Sequence, residues 1–167
     1  MGRHRMNGVK VRHATVADAP VIAKMLTFLA GDLGDTDVFC TTSEIIARHG
    51  FGKEPMFHVV IAEQGDEPVG VALYFAHFST TKGRPGVYVQ DLWIAPNQRG
   101  SGIGQHLLAA VALHSKKSWA AAYIKLSVHA DNPRAKQFYE RLGFGESLNE
   151  TPMIADSAAF NALRGAA

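Results

Sequence analysis

Val9-Lys10-Val11-Arg12 alternates apolar and polar positions, the two-residue period of a half-buried strand. Val21, Ile22, Met25, Leu26 and Leu29 then recur at helical spacing, which predicts an amphipathic helix reaching about Gly31. Thr15-x-x-Asp18 stands ahead of it as an approximate capping box, with Pro20 in the first turn. Thr42 or Ser43 can cap a short helix through Ile45, Ile46 and His49. Phe57 to Glu63 and Val69 to Phe78 read as antiparallel strands, joined by the turn-forming run Gln64-Gly65-Asp66-Glu67-Pro68. A loop from Thr80 to Gly86 leads to a central strand, Tyr88 to Ile94, rich in aromatic and β-branched residues. Ala95-Pro96-Asn97 breaks that strand, and Ile103, Leu107, Leu108 and Val111 mark the helix that follows. Ala122 to Val128 predicts another strand. Asp131-Asn132-Pro133 starts a helix carrying Phe138 and Tyr139, and Leu142-Gly143-Phe144 closes it, the glycine suited to a left-handed cap. Pro152 to Ala155 is expected as a last strand, before a short helix through Phe160 and Leu163.

The order β-α-α-β-β-β-α-β-α-β predicts an α/β (α+β) fold, three layers around a mixed, mainly antiparallel sheet. With 167 residues and no internal repeat or linker, a single domain over 1–167 is expected, its polar opening (residues 1–7) disordered. A hydrophobic content of 47% is enough for a real core, and no apolar run is long enough to span a membrane. The net charge of +2 is too mild to argue for nucleic acid, so neither nucleic acid nor membrane is an expected partner. One cysteine, Cys40, excludes an intrachain disulfide; with no signal peptide in view, a cytoplasmic location is the expectation. Cys40 has no Cys–His signature around it and is expected to be a small, at least partly buried residue. The eight histidines show no zinc-binding spacing, so no metal is expected. His58 and His77 fall on strands, where packing or hydrogen bonding explains them. His106 and His114 fall on the helix after Gly104, where a solvated face does. Asp32, Asp35 and Asp37 crowd a turn-rich segment, read as solvated charge or as an electrostatic funnel for a cationic ligand.

Candidate chemistry concentrates between Tyr88 and Leu108. Strand, glycine-rich turn (Arg99-Gly100-Ser101-Gly102-Ile103-Gly104) and helix together form an anion cradle. Glycine lets the backbone approach closely, the first helical N–H groups lack intrahelical acceptors, and the dipole favours negative charge. A phosphate or pyrophosphate ligand is the natural reading. The spacing is neither that of dinucleotide-binding folds nor that of the nucleotide P-loop. A tight turn that binds nothing remains the alternative on the glycines alone.

Arg99-x-x-Gly102-x-Gly104, after a strand and Ala-Pro-x-x, resembles the acetyl-CoA pyrophosphate motif of the GNAT superfamily of N-acetyltransferases. Asn132, Pro133, Ala135 and Phe138-Tyr139-Glu140-Arg141-Leu142-Gly143-Phe144 resemble that superfamily's second signature. Gly50-Phe51-Gly52, Pro55, His58 and Tyr88-Val89-Gln90-Asp91 are similar to the diamine (spermidine/spermine-type) acetyltransferase branch. The resemblance implies direct transfer of acetyl from acetyl-CoA to a primary amine of a small cationic molecule: a polyamine, a diamine or a lysine-like compound. It implies that Leu92, Trp93 and Ile94 pair with the pantetheine arm, and that Arg99, Gly100, Ser101, Gly102, Ile103 and Gly104 cradle the pyrophosphate. Asn132 corresponds to a residue that touches the cofactor, and Tyr139 to the acid that meets the departing thiolate. Members of the branch usually carry Glu-Asp where this chain has Gln90-Asp91. Gln90 is an amide that can order a water or hold the amine; Asp91 is the remaining candidate base, or bonds a bulged backbone. A homodimer is implied by the same likeness. Two other readings remain: acetylation of a protein or peptide amine, or a non-catalytic acyl-CoA-binding regulatory module.

Overall fold

The computed structural model describes residues 8–147 and 150–166. The opening seven residues, where disorder is expected, lie outside them. The chain divides into two compact units, Met1–Asp131 and Asn132–Ala167.

The first unit is built on a five-stranded sheet in the order β1-β2-β3-β4-β5. Its strands are β1 (Val9–His13), β2 (His58–Gln64), β3 (Glu67–Ser79), β4 (Arg84–Ile94) and β5 (Ile124–Leu126), and its helices are α1 (Ala19–Leu33), α2 (Ser43–Gly50) and α3 (Ile103–Trp119). The first three pairings are antiparallel and β4 pairs β5 in parallel. Alternation along the strands sends two sets of side chains to opposite faces. Val59, Ile61, Val71, Leu73 and Trp93 pack under Ile22, Met25 and Leu26 of α1 and Ile46 of α2. On the other face α3 lies across β1 to β4, burying Ile103, Leu107, Leu108 and Val111. Gly70 makes room there: a Cβ on it would stand 3.1 Å from Leu107 Cδ1 and 3.1 Å from the Trp93 carbonyl. The result is three layers around a mixed sheet, as the order of elements predicts.

Local chemistry explains the element ends. Asp18 accepts the Thr15 backbone N–H at 2.7 Å and closes the expected capping box, but around a 3-10 turn (Val16–Asp18) that leads into α1. Arg12 holds Asp18 with two 2.8 Å bonds and donates to Glu63 at 2.8 Å, tying β1, the helix entry and β2 together. That pairing draws the Asp18 carboxyl down to about 2. Thr42 is the cap of α2, its hydroxyl accepting the Ile45 N–H at 3.3 Å. β2 and β3 turn on Gly65-Asp66, with Gly65 at φ +63°.

Several expectations need correction. Helix α1 runs to Leu33, so Asp32 is helical and not part of a turn. β3 and β4 stay paired out to Ser79 and Arg84, so the loop between them is only 80–83 rather than 80–86; ladder bonding outlasts the apolar pattern. β5 keeps three residues of the seven expected, because pairing with β4 covers only 124–126. Pro152 to Ala155 is not a strand; Met153 and Ile154 are exposed with no ladder partner among the described residues. Cys40 is exposed. His114 is not on a solvated face. Half-buried, it accepts or donates at 3.0 Å to Tyr74 Oη and packs against the rings of His13, His58 and Trp119. Burial and the neighbouring positive charge push its pKa down, and that of His58 likewise.

The second unit holds α4 (Pro133–Arg141) and α5 (Ser157–Gly165). Asn132 caps α4, its Oδ1 accepting the Ala135 N–H at 3.0 Å. Gly143 ends it at φ +90°, and the Phe144 N–H returns to the Tyr139 carbonyl at 3.1 Å.

Candidate active site

β4 carries an irregularity at the centre of the sheet. Leu73 faces Asp91 and the next residue, Tyr74, faces Val89, so Gln90 is the extra residue of a β-bulge. In a regular strand Gln90 and Asp91 would point to opposite faces. Here both reach the same cleft, on the α1/α2 side of the sheet. The alternative in which Asp91 serves only to bond bulged backbone finds no such hydrogen bond among those described.

The cleft has a volume of about 700 Å³. Leu73, Phe75, Gln90 and Asp91 form its floor, Leu26 and the α2 residues Ile45, Ile46 and His49 one wall, and Phe39, Thr41, Met56 and Phe57 the rim and far wall. The Met56 N–H donates to the His49 carbonyl at 2.8 Å, which folds the segment after α2 back over the cleft. Burial pushes the Asp91 carboxyl up to about 6, because the ionised form loses water that nothing nearby replaces. It is ionised at neutral pH yet more basic than an ordinary carboxylate.

Beyond the bulge the β4 backbone is open on one side. β5 pairs only with 87–89, so no strand among the described residues pairs with Gln90 to Ile94 on that edge. The chain then leaves through a 3-10 turn (Pro96–Gln98) into the glycine turn. Gly100 and Gly102 sit at φ +82° and +90°, a region that disfavours side chains, and a Cβ on Gly100 would meet nothing within 4 Å. The first bond of α3 runs from the His106 N–H to the Gly102 carbonyl at 3.2 Å. The N–H groups of Ile103, Gly104 and Gln105 precede it at the positive end of a 17-residue helix. A pyrophosphate fits these donors.

The Arg99 side chain turns away from this cradle. Its guanidinium pairs with Asp32 at 2.5 Å and its Nε donates to the Ile94 carbonyl at 3.0 Å, while the Trp93 indole N–H also donates to Asp32 at 3.1 Å. Asp32 therefore anchors the turn to α1. Asp35 lies 4.0 Å from His129. Neither Asp32, Asp35 nor Asp37 lines the cleft. In the second unit Tyr139 packs edge-on against Phe138 and Phe144, and burial pushes its phenol up to about 12, so the hydroxyl is held protonated. Among the described residues no group of three or more histidine, cysteine or acidic side chains is arranged to hold a metal.

Pattern reading locates the floor, the turn and the helical wall but not the whole rim. Phe39 and Met56 stand outside any segment read as an element, and their only signal is large apolar residues in stretches otherwise rich in turn formers.

Residues 26–144 match the Acetyltransferase (GNAT) family, and the chain belongs to it. It is an acetyl-CoA-dependent N-acetyltransferase. Thialysine N-epsilon-acetyltransferase of Bos taurus is 32% identical over 143 residues, covering 81% of this chain and 83% of that one. Spermidine/spermine N(1)-acetyltransferase-like protein 1 of Homo sapiens is 30% identical over 115 residues, 65% of this chain and 16% of its own length. Among solved structures, an integron cassette protein from the mobile metagenome of V. cholerae superposes with a TM-score of 0.76 at 19% identity, covering 94% of this chain and 98% of that one. That last likeness bears on the fold alone.

Proposed function

We propose that this enzyme moves acetyl from acetyl-CoA to the primary amine of a small cationic molecule, with the nitrogen seated against Asp91. The observation that carries this reading is the bulge, which brings a carboxylate and an amide to the floor of one cleft beside the open edge of β4. The relatives' names, which specify thialysine and spermidine/spermine acetylation, support a small amine over a protein amine.

Leu92, Trp93 and Ile94 offer backbone donors and acceptors to the pantetheine arm along the open edge. Gly100 to Gly104 present main-chain N–H groups to the pyrophosphate, with Arg99 holding the turn. Asn132, beyond its cap, is the further cofactor contact proposed in the second unit. Bound acetyl-CoA supplies an acyl group activated as a thioester, whose carbon accepts the amine and whose sulfur departs. An alkylammonium has a pKa of about 10. Asp91 binds it as an ion pair, takes one N–H proton on Oδ to free the lone pair that forms the N–C bond, and passes that proton to water; the second N–H proton leaves the acylated nitrogen for water as the C–S bond breaks. Gln90 holds that nitrogen or the water through its amide. Tyr139 Oη donates to the departing sulfur as the C–S bond breaks. A phenol near 12 cannot hand its proton outright to a thiolate whose acid titrates at about 8.5. Its contribution is hydrogen bonding to developing charge, the sulfur taking its proton finally from solvent.

The enzyme is further proposed to act as one catalytic domain over 1–167, as a homodimer, in the cytoplasm. Thiol release from acetyl-CoA, followed across primary amines, lysine analogues and a peptide with a free amine, tests the function. Release with small amines and none with the peptide is expected. Acetyl-CoA binding without release for any amine would favour a regulatory module.

A further inference from the structure

The acceptor cleft has one carboxylate and many hydrocarbon walls. Among the described residues, Asp91 is the only acidic one lining it. Apart from Gln90, Thr41 and His49, none of which carries a negative charge, the other lining groups are apolar, among them Leu26, Ile46, Leu73, Phe75, Phe39 and Phe57. The mouth is apolar too, since Ile45 is 41% exposed and Met56 70% exposed. None of the acids of the 32–37 segment lines the cleft. Asp32 is spent on Arg99 and the Trp93 indole, and Asp35 lies beside His129. At the bulge, the first of the two floor positions is the neutral Gln90.

Resting on the acetyltransferase reading, we infer that the acceptor is a monoamine with an apolar body, an alkyl- or arylalkylamine, rather than a polyamine. The single ammonium pairs with Asp91, and the hydrocarbon chain runs outward between α2 and the Phe39 and Met56–Phe57 wall. A diamine of equal length would place its second charge among these hydrocarbon walls, giving up hydration for no partner. An added methylene on a monoamine instead gains burial.

The experiment is thiol release from acetyl-CoA with n-alkylamines from butylamine to octylamine, phenethylamine, putrescine, spermidine and lysine, with acetyl-CoA affinity measured separately by calorimetry. kcat/KM is expected to rise roughly threefold per methylene along the alkylamines. Pentylamine, which matches putrescine in length, should exceed it by at least about tenfold, the scale of one unpaired charge moved into an apolar site. Ile45→Glu adds a carboxylate at the exposed mouth without disturbing the core. It is expected to raise kcat/KM for spermidine and to lower it for octylamine, each by about tenfold. Polyamines or lysine preferred over hexylamine by the unaltered enzyme, or no change of preference in Ile45→Glu, would overturn the inference and leave the acetyltransferase reading standing. No release with any amine, with acetyl-CoA still bound, would overturn both.

Discussion

Asp91 and Tyr139 are both buried ionisable groups, and burial moves each toward its neutral form. For Asp91 the consequence is a pH limb. The carboxylate must be ionised to bind an ammonium and accept a proton, so kcat/KM should fall as pH drops through about 6, and Asp91→Asn should erase that limb together with most of the rate. The stability sign runs the other way. A carboxyl whose folded pKa is raised binds its proton more tightly when folded, so its ionisation destabilises the fold, and the penalty is fully present above about 6. Asp91→Asn is therefore expected to melt higher than the unaltered protein at pH 8, with the gap closing toward pH 4, by scanning calorimetry. Tyr139→Phe keeps the ring that packs on Phe138 and Phe144 and removes one hydroxyl. Turnover should fall about 10- to 10²-fold, the scale of one hydrogen bond to a developing charge, with acetyl-CoA affinity unchanged. Unaltered turnover, in an assay where chemistry limits the rate, would leave the departing sulfur to solvent alone. Residue type and neighbouring motif make Asp91 and Tyr139 legible as candidates in the sequence. The role of Asp32 is not legible there, because its partners Arg99 and Trp93 are 67 and 61 residues away along the chain.

At the scale of elements, the glycine turn and α3 form the proposed pyrophosphate cradle. Gly102 stands at φ +90° as the cap of α3, so Gly102→Val strains the backbone where a β-branched residue is poorly tolerated. The variant is expected to lose at least about tenfold in acetyl-CoA affinity by calorimetry. Normal affinity in a folded Gly102→Val would move the cofactor site elsewhere. Strand and helix existence follows from periodicity almost throughout, because the period of apolar positions is set by the same geometry that later buries them. Ends follow less well. β4 begins at Arg84 and β5 shrinks to Ile124–Leu126 because hydrogen-bonded pairing, which leaves no local mark, decides where a strand stops. The 152–155 run illustrates the converse: apolar residues with no ladder to join.

For the whole molecule, the expectation is a dimer. The second unit exposes Met153, Ile154, Phe160 and Leu163, between 60% and 93% accessible, apolar side chains available for a partner subunit to cover. Light scattering at micromolar concentration should return about twice 18.0 kDa, and a monomeric mass would refute the assembly. The three-layer arrangement is legible from the order of elements, since each amphipathic helix needs a sheet face to cover. The histidine cluster of His13, His58 and His114 is not, because it joins three separate elements through ring contacts of 4.6 to 5.0 Å that no spacing rule encodes.

The extra residue in β4 also works as a phase shifter. Beyond it, Leu92 and Trp93 keep one parity of in and out; before it, Val87 and Val89 keep the other, and both halves still bury their apolar members. Without Gln90, Val89 and Asp91 would follow one another opposite Tyr74 and Leu73, and the strand would alternate regularly with every other side chain on its present face. What the insertion adds is a second cleft-facing position beside Asp91. Deleting Gln90 is therefore expected to leave the sheet standing and to cost the cleft one polar group, so that the irregularity serves the cavity and not the ladder.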